Sequence, residues 1–212
     1  MKRFITDKKR KVYLSLSIAF WVLIWWAMSV IIEEKLFLPS PFSVLKALIS
    51  LFPEKEFWTS IAFSTSRVVL SYLVSFIVAA LLGVFGGLSE RIEILLSPLV
   101  KAMRSIPVAS IVILVLLWVK SRNLSTVVSF LVVFPILYES VLSGVKNTDP
   151  LLLEAADNYR IRGYRRLRYI YLPSISPYIE SGIKSSLGLC WKSAVAAEVI
   201  GLPLHSMGSK LY

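Results

Sequence analysis

Long apolar blocks, not amphipathic stripes, dominate this chain. Val12–Ile32 carries no charge at all, and Val108–Val119 is as oily. A helix needs roughly 20 predominantly apolar residues, at ~1.5 Å rise each, to cross a ~30 Å hydrocarbon core. That measure predicts five spans. The first is Val12–Ile32, and the second, Ile61–Leu88, is long and holds one arginine, Arg67. The third, Ile94–Val119, is interrupted at Pro98 and Pro107, which sets its first part apart as an interfacial turn. The fourth, Leu124–Gly144, contains Pro135 and is expected to kink there. The fifth, Ser174–Ile200, is the least apolar and includes Glu180, Lys184 and Lys192. Between the first two, Leu36–Phe52 reads as an amphipathic helix on the membrane surface, introduced by Pro39-Ser40-Pro41. The expected fold is all-α, a polytopic membrane helix bundle. No repeat or low-complexity linker divides it, so residues 1–212 are expected to form one domain.

Composition agrees with that pattern. Of 212 residues, 56% are hydrophobic and 17% charged, against about 45–50% and about 25% in soluble domains. The mean hydropathy is +0.71. The formal charge of +11 would suggest nucleic acid in a soluble protein. Here its placement decides otherwise. Fifteen of the 24 lysines and arginines precede the first span or lie in Arg91–Arg104 and Lys146–Arg168; six lie in the alternate segments and three inside spans. That is the positive-inside pattern, with the N-terminus cytoplasmic, and no nucleic-acid partner is expected. Lys8–Lys11 and Ala27-Met28-Ser29 faintly resemble a signal peptide. The apolar run exceeds the ~7–15 residues of a signal core, which favours an uncleaved anchor.

One cysteine, Cys190, and one histidine, His205, exclude a disulfide scaffold and a tetrahedral zinc site. Neither a G-x-x-x-x-G-K-[ST] phosphate loop nor a G-x-S-x-G elbow is present. The chain has no equipment for hydrolysing a nucleotide, and no nucleophile–base pair for intramembrane catalysis.

Polar residues inside the spans are organised. Ser60, Ser64, Arg67, Ser71 and Ser75 share one helix face, continued by the small residues Ala79, Gly83 and Gly87. Serines alone commonly bond their own preceding turn. An intramembrane arginine is expensive, however, and faces a cavity or a partner. Arg67 is therefore read as lining the translocation path and paired with Glu198 across the bundle. On span 5, Lys184, Gly188 and Lys192 are four apart, with Ser181 and Ser185 beside them and Glu180 one turn before Lys184. That face suits a water-filled path or a subunit interface; snorkelling is the plainer account of Lys192 and Glu198. Cys190 and Trp191 read as packing residues.

Asp149-Pro150 is a helix start, with Asp as N-cap and Pro at the first position. Leu151, Leu152, Leu153, Glu154, Ala155 and Ala156 follow, too short to span, and then the basic run Arg160–Arg168. A plain cytoplasmic loop would look similar. The Ala-Ala pair, though, offers a flat surface able to enter a groove on another protein.

Glu154-Ala155-Ala156, with Ile170-x-Leu172-Pro173 behind it, resembles the EAA motif of permease subunits of bacterial ATP-binding-cassette importers. The likeness extends to Leu38-Pro39-Ser40-Pro41, Ser105-Ile106-Pro107, Pro177-Tyr178-Ile179 with Gly182, Trp191 and Glu198. It points to the branch importing nitrate, taurine, aliphatic sulfonates, bicarbonate or thiamine-precursor pyrimidines. There are two departures. Arg160 stands at the motif's glycine, with Gly163 three residues late, so the turn between the two short coupling helices is expected to shift. The family also has a sixth span after Gly201–Tyr212, which would make this chain a shortened subunit with its C-terminus outside.

The resemblance implies a coupling loop over residues 146–173, with Leu152, Leu153, Glu154, Ala155, Ala156, Gly163, Ile170, Leu172 and Pro173 meeting a cytoplasmic ATPase. The polar stripes read above give a path set of Ser64, Arg67, Ser71, Lys184, Gly188, Lys192 and Glu198. The resemblance further implies a second permease copy and an external substrate-binding protein, with ATP and magnesium held by the partner ATPase and no cofactor on this chain. The competing class is a stand-alone channel or facilitator.

Overall fold

The structure is a computed structural model that describes residues 7–32 and 37–210. Every regular element among them is helical. The chain divides into two compact units, residues 1–58 and 59–212. The expectations that fall on Lys2, Arg3, the Lys8 side chain, Lys35 and Leu36 lie outside what is described.

In the first unit, α1 (Asp7–Ile32) is long and apolar enough to cross a membrane, and its large side chains, among them Leu16, Trp21 and Ile31, are exposed. α2 (Pro41–Leu51) starts where the sequence places it, with Pro41 in its first turn. Ser40 is the N-cap, and its hydroxyl accepts from the Ser43 amide at 3.2 Å. The Trp25 indole and the Ser29 hydroxyl donate to the Pro39 and Leu38 carbonyls, tying α1 to the approach of α2.

The second unit holds the core. α3 (Lys55–Leu88) enters it from Thr59 onward and buries Ser60, Ser64, Val68, Ser71, Ser75, Ala79, Gly83 and Gly86. A membrane helix associates through small residues because its apolar side chains are already at home in lipid. α3 follows that rule along its length. Its lower half meets α6 (Ser121–Lys146) backbone to side chain: a Cβ at Gly83 would stand 2.8 Å from Val141, and at Gly87 2.5 Å from Val145. α6 runs continuously through Pro135. It packs most extensively on α9 (Leu172–Gly201), where Gly182 sits against Ser140, Gly144 against Ile175 and Gly201 against Leu124.

The third predicted span is two helices. α4 (Glu90–Ser105) and α5 (Val108–Leu116) meet at 102°. Pro98 does not interrupt α4. The break falls at Ile106-Pro107, where Ile106 is extended as the residue before proline prefers. α4 is tied to α6 by ion pairs, Lys146 with Glu93 and Arg104 with Glu139. By length and composition α1, α3 and α6 each qualify as spans, and the bent α4–α5 pair together as a fourth. α9, with 30 residues, is long enough to be the fifth, but four charged residues dilute it.

After α6 come α7 (Pro150–Asn158), a single turn α8 (Tyr164–Arg166) and a π-helical turn at Leu167–Tyr171 that runs straight into α9. Leu172-Pro173 therefore does not end the loop as expected; it lies inside a continuous helical stretch. The π turn has a physical cause. Pro173 donates no N–H and its ring crowds the carbonyl four residues back, and the Leu172 amide bonds Leu167 instead.

Candidate functional site

Glu198, 1% exposed, lies on the inner face of α9, and Arg67 reaches it from α3 with Nη1 3.2 Å from Oε1. The second carboxylate oxygen accepts from the Ser64 hydroxyl at 2.7 Å and from the Gly208 amide at 3.4 Å. Ser64 in turn accepts from the Met207 amide at 2.9 Å. A buried charge left alone costs several kcal/mol. Here the carboxylate has a cation, a hydroxyl and an amide, so the structure brings together the pair that the sequence suggested.

The cluster does more than neutralise charge. It pins residues 202–210 across the ends of α3 and α9. That segment turns through two left-handed residues, Leu202 (φ 44°) and His205 (φ 54°), and the Ser206 hydroxyl bonds Pro203 and Ser209. Gly208 is required: a Cβ there would lie 2.4 Å from the Glu198 Cβ and 2.6 Å from the Val199 amide nitrogen. Sequence reasoning missed this clamp. Its only signal was a glycine next to Met207 beyond the last predicted span.

The remaining serines divide. Ser71 donates to the Thr126 carbonyl of α6 and so joins two helices, whereas Ser75 bonds its own preceding turn at Ser71. Tyr72 pairs with Ser186, and Ser193 with Ser129, along the α3–α9 and α6–α9 seams.

Lys184, Gly188 and Lys192 are not part of this cluster. All three are exposed, Lys184 bonds Glu180 at 2.6 Å, and nothing approaches a Cβ at Gly188. Of the four path residues expected on α9, Glu198 is buried in the bundle and the other three are exposed. Cys190 is buried as expected, while Trp191 is 39% exposed.

The cytoplasmic element is a capped helix with one unexpected turn. The Asp149 carboxylate accepts from the Leu151 amide at 2.9 Å, with Pro150 first in α7. Leu151 and Leu152 are exposed, Leu153 and Ala155 half-buried, and Ala156 is only 1% exposed. This corrects the expectation of a flat Ala-Ala face: Ala156 packs inward, and the leucines are presented. Ile170 is buried, whereas Gly163, Leu172 and Pro173 are exposed. Glu154 is exposed, and the loop is braced by Asp157, which accepts from Arg166 at 2.6 Å.

The expected shift of the turn does not occur. Arg160 itself takes the left-handed conformation (φ 54°). The Ile161 amide bonds Ala156 at 2.8 Å and the Arg160 amide bonds Asp157 at 3.1 Å, the paired bonds of a Schellman ending. Gly163 makes a second turn at φ 58°.

Residues 79–210 match the family described as the binding-protein-dependent transport system inner membrane component. The chain belongs to that family. It is 28% identical over 199 residues to the taurine transport system permease protein TauC of Escherichia coli, covering 90% of this chain and 72% of that one. To the putative aliphatic sulfonates transport permease protein SsuC of E. coli it is 31% identical, over 77% of this chain and 62% of that protein. The nitrate import permease NrtB of Leptolyngbya laminosa is 32% identical over 68% of this chain, and only 52% of its length is covered. The matched stretch takes in the small-residue ladder of α3, α4–α7, all of α9 and, of the clamp, Glu198, Met207 and Gly208, while Ser64 and Arg67 precede it.

Proposed function

We propose that this permease moves a small anionic nutrient, of sulfonate-like or oxyanion type, inward across the cytoplasmic membrane by alternating access. In this reading it pairs with a second copy of itself, takes substrate from an external binding protein, and is driven by ATP hydrolysis on a cytoplasmic partner ATPase. This chain would bind no nucleotide and catalyse nothing. Residues 1–212 would work as one permease domain, N-terminus inside, with 146–173 as its coupling loop.

The observation that carries the reading is α7. A capped helix of nine residues presents Leu151 and Leu152 to solvent, and the exposed Arg160, Arg162, Arg165 and Arg168 follow it in the chain. Exposed leucines on a rigid, locally braced helix suit an apolar cleft, and the arginines suit an acidic rim that steers assembly. Because Asp157–Arg166 and the Schellman ending fix α7 to the root of α9, a push on the leucines reaches α9 through a continuous helix. Arg67 and Glu198, Ser64 and Ser71 line the path in this reading, and Lys184, Gly188 and Lys192 face either the path between two copies or the copy itself.

The test is co-purification. Leu152→Arg should abolish association with a co-expressed ATP-binding-cassette ATPase and stop substrate uptake, while the chain still inserts. Unchanged association and uptake would leave α7 a solvated loop and favour a stand-alone facilitator.

A further inference from the structure

Arg67 has a second exposure besides Glu198. It lines a cavity of about 440 Å³ with Phe63, Ser121, Arg122, Leu202 and His205. We propose that this cavity is a binding site for a small organic oxyanion, a sulfonate or a carboxylate of a few heavy atoms. The inference rests on the import reading for its role, since it names where the substrate class is first held, but not for its chemistry.

Three independent features converge on one sign of charge. A guanidinium has five donors; Glu198 Oε1 takes Nη1 of Arg67, and Arg67 also lines the cavity. Arg122 supplies a second guanidinium, and both it and His205 are exposed to the opening. Ser121 and Arg122 are the first two residues of α6, a helix of 26 residues whose N-cap, Lys120, makes no side-chain cap bond. The cavity thus also sees the positive end of a helix with its first-turn amides. No acidic side chain lines it. The Glu198 carboxylate beside Arg67 is buried and bonded on both oxygens.

The remaining wall is apolar: Phe63, whose ring lies 6.3 Å from the His205 ring, and Leu202 to Leu204. A bare inorganic ion gains nothing from such a wall, whereas a short carbon chain attached to an oxyanion does. The wall is also fixed. Residues 202–208 are held by the Ser64 and Glu198 bonds to Met207 and Gly208. Losing that clamp would unbuild the site without removing any cation.

The experiment is titration of the purified full chain in lipid nanodiscs with ethanesulfonate. Binding should be detectable, and Arg122→Gln should weaken it by about tenfold or more, the loss of a charged hydrogen bond. Arg122→Lys should restore part of it, and His205→Asn, which tolerates the left-handed backbone, should weaken it less. No ethanesulfonate binding, equal binding by Arg122→Gln, or binding of dihexanoyl-phosphatidylglycerol in its place would overturn the site. These outcomes are separable from the import reading. An ATPase that co-purifies and drives sulfonate uptake through an Arg122→Gln chain leaves that reading standing and this site refuted. Ethanesulfonate binding by a chain that captures no ATPase does the reverse.

Discussion

The two faces of α9 carry the same kinds of residue and do opposite things. On the inner face Glu198 is buried, paired with Arg67 and bonded to Ser64 and Gly208. On the outer face Glu180, Lys184 and Lys192 are exposed, and Lys184 finds its partner only one turn away on its own helix. A charged residue in a span is costly in either place. The inner face meets that cost within the chain. The outer face has, among the described residues, the exposed Lys184–Glu180 pair, and in the reading proposed above a second copy, or water in a path between two copies, would meet the rest.

The largest effect should come from breaking the inner pair. Glu198→Gln or Arg67→Gln alone leaves one buried group without its counter-charge, a loss of about 3–5 kcal/mol. The double variant should recover a substantial part of the lost thermal stability in detergent. Equal melting of both singles and the double would remove the pair from the argument. Next comes packing without charge. Gly87→Ala places a Cβ 2.5 Å from the Val145 side chain and should cost about 1–3 kcal/mol by forcing α3 from α6. If Gly87→Ala melts like the parent, the α3–α6 seam is looser than the structure shows.

How far these faces were legible in the sequence follows from what sets each one. The inner pair was legible because an isolated arginine in an apolar span demands a partner, and few opposite charges are available. The opposite placement of Lys184 was not. Spacing of four puts residues on one face of a helix but does not say which face turns inward; the packing of Gly182, Ser186 and Cys190 against α6 and α3 decides that. The break at Pro107 and the start of α7 were local events, written in Pro and Asp. The continuity through Leu172-Pro173 was missed because a proline normally ends a helix, and a π turn absorbs this one.

A smaller effect should come from the strained turn after α7. A non-glycine residue in the left-handed region costs about 1–2 kcal/mol, and Arg160 holds φ 54° in the turn that brings the Ile161 and Arg160 amides onto the Ala156 and Asp157 carbonyls. Arg160→Gly should therefore raise stability by about 1 kcal/mol, part of the relief being offset by glycine's greater freedom in the unfolded chain. Amide exchange at Ile161 should slow. Faster exchange would mean that the arginine's own contacts, not the backbone, hold the turn.

The smallest effect on the isolated chain should come from the outer face, and it is the one that tests the comparison itself. Lys184→Gln and Lys192→Gln remove charges that touch nothing in the core, so the monomer's melting temperature should not move. Exposed pairs such as Lys184 with Glu180 contribute little even when well formed. If the outer face meets a second copy or a shared aqueous path, the same substitutions should act elsewhere, on dimer recovery after cross-linking in the membrane or on uptake. A double variant that is silent in stability but defective in assembly or transport places the unmet charge between subunits. One that destabilises the monomer would show that the outer face is held within the chain after all, and the division of α9 into two faces would fail. A variant silent in all three measurements would mean that the lysines only reach for the interface by snorkelling, and that the path runs along the Arg67 side alone.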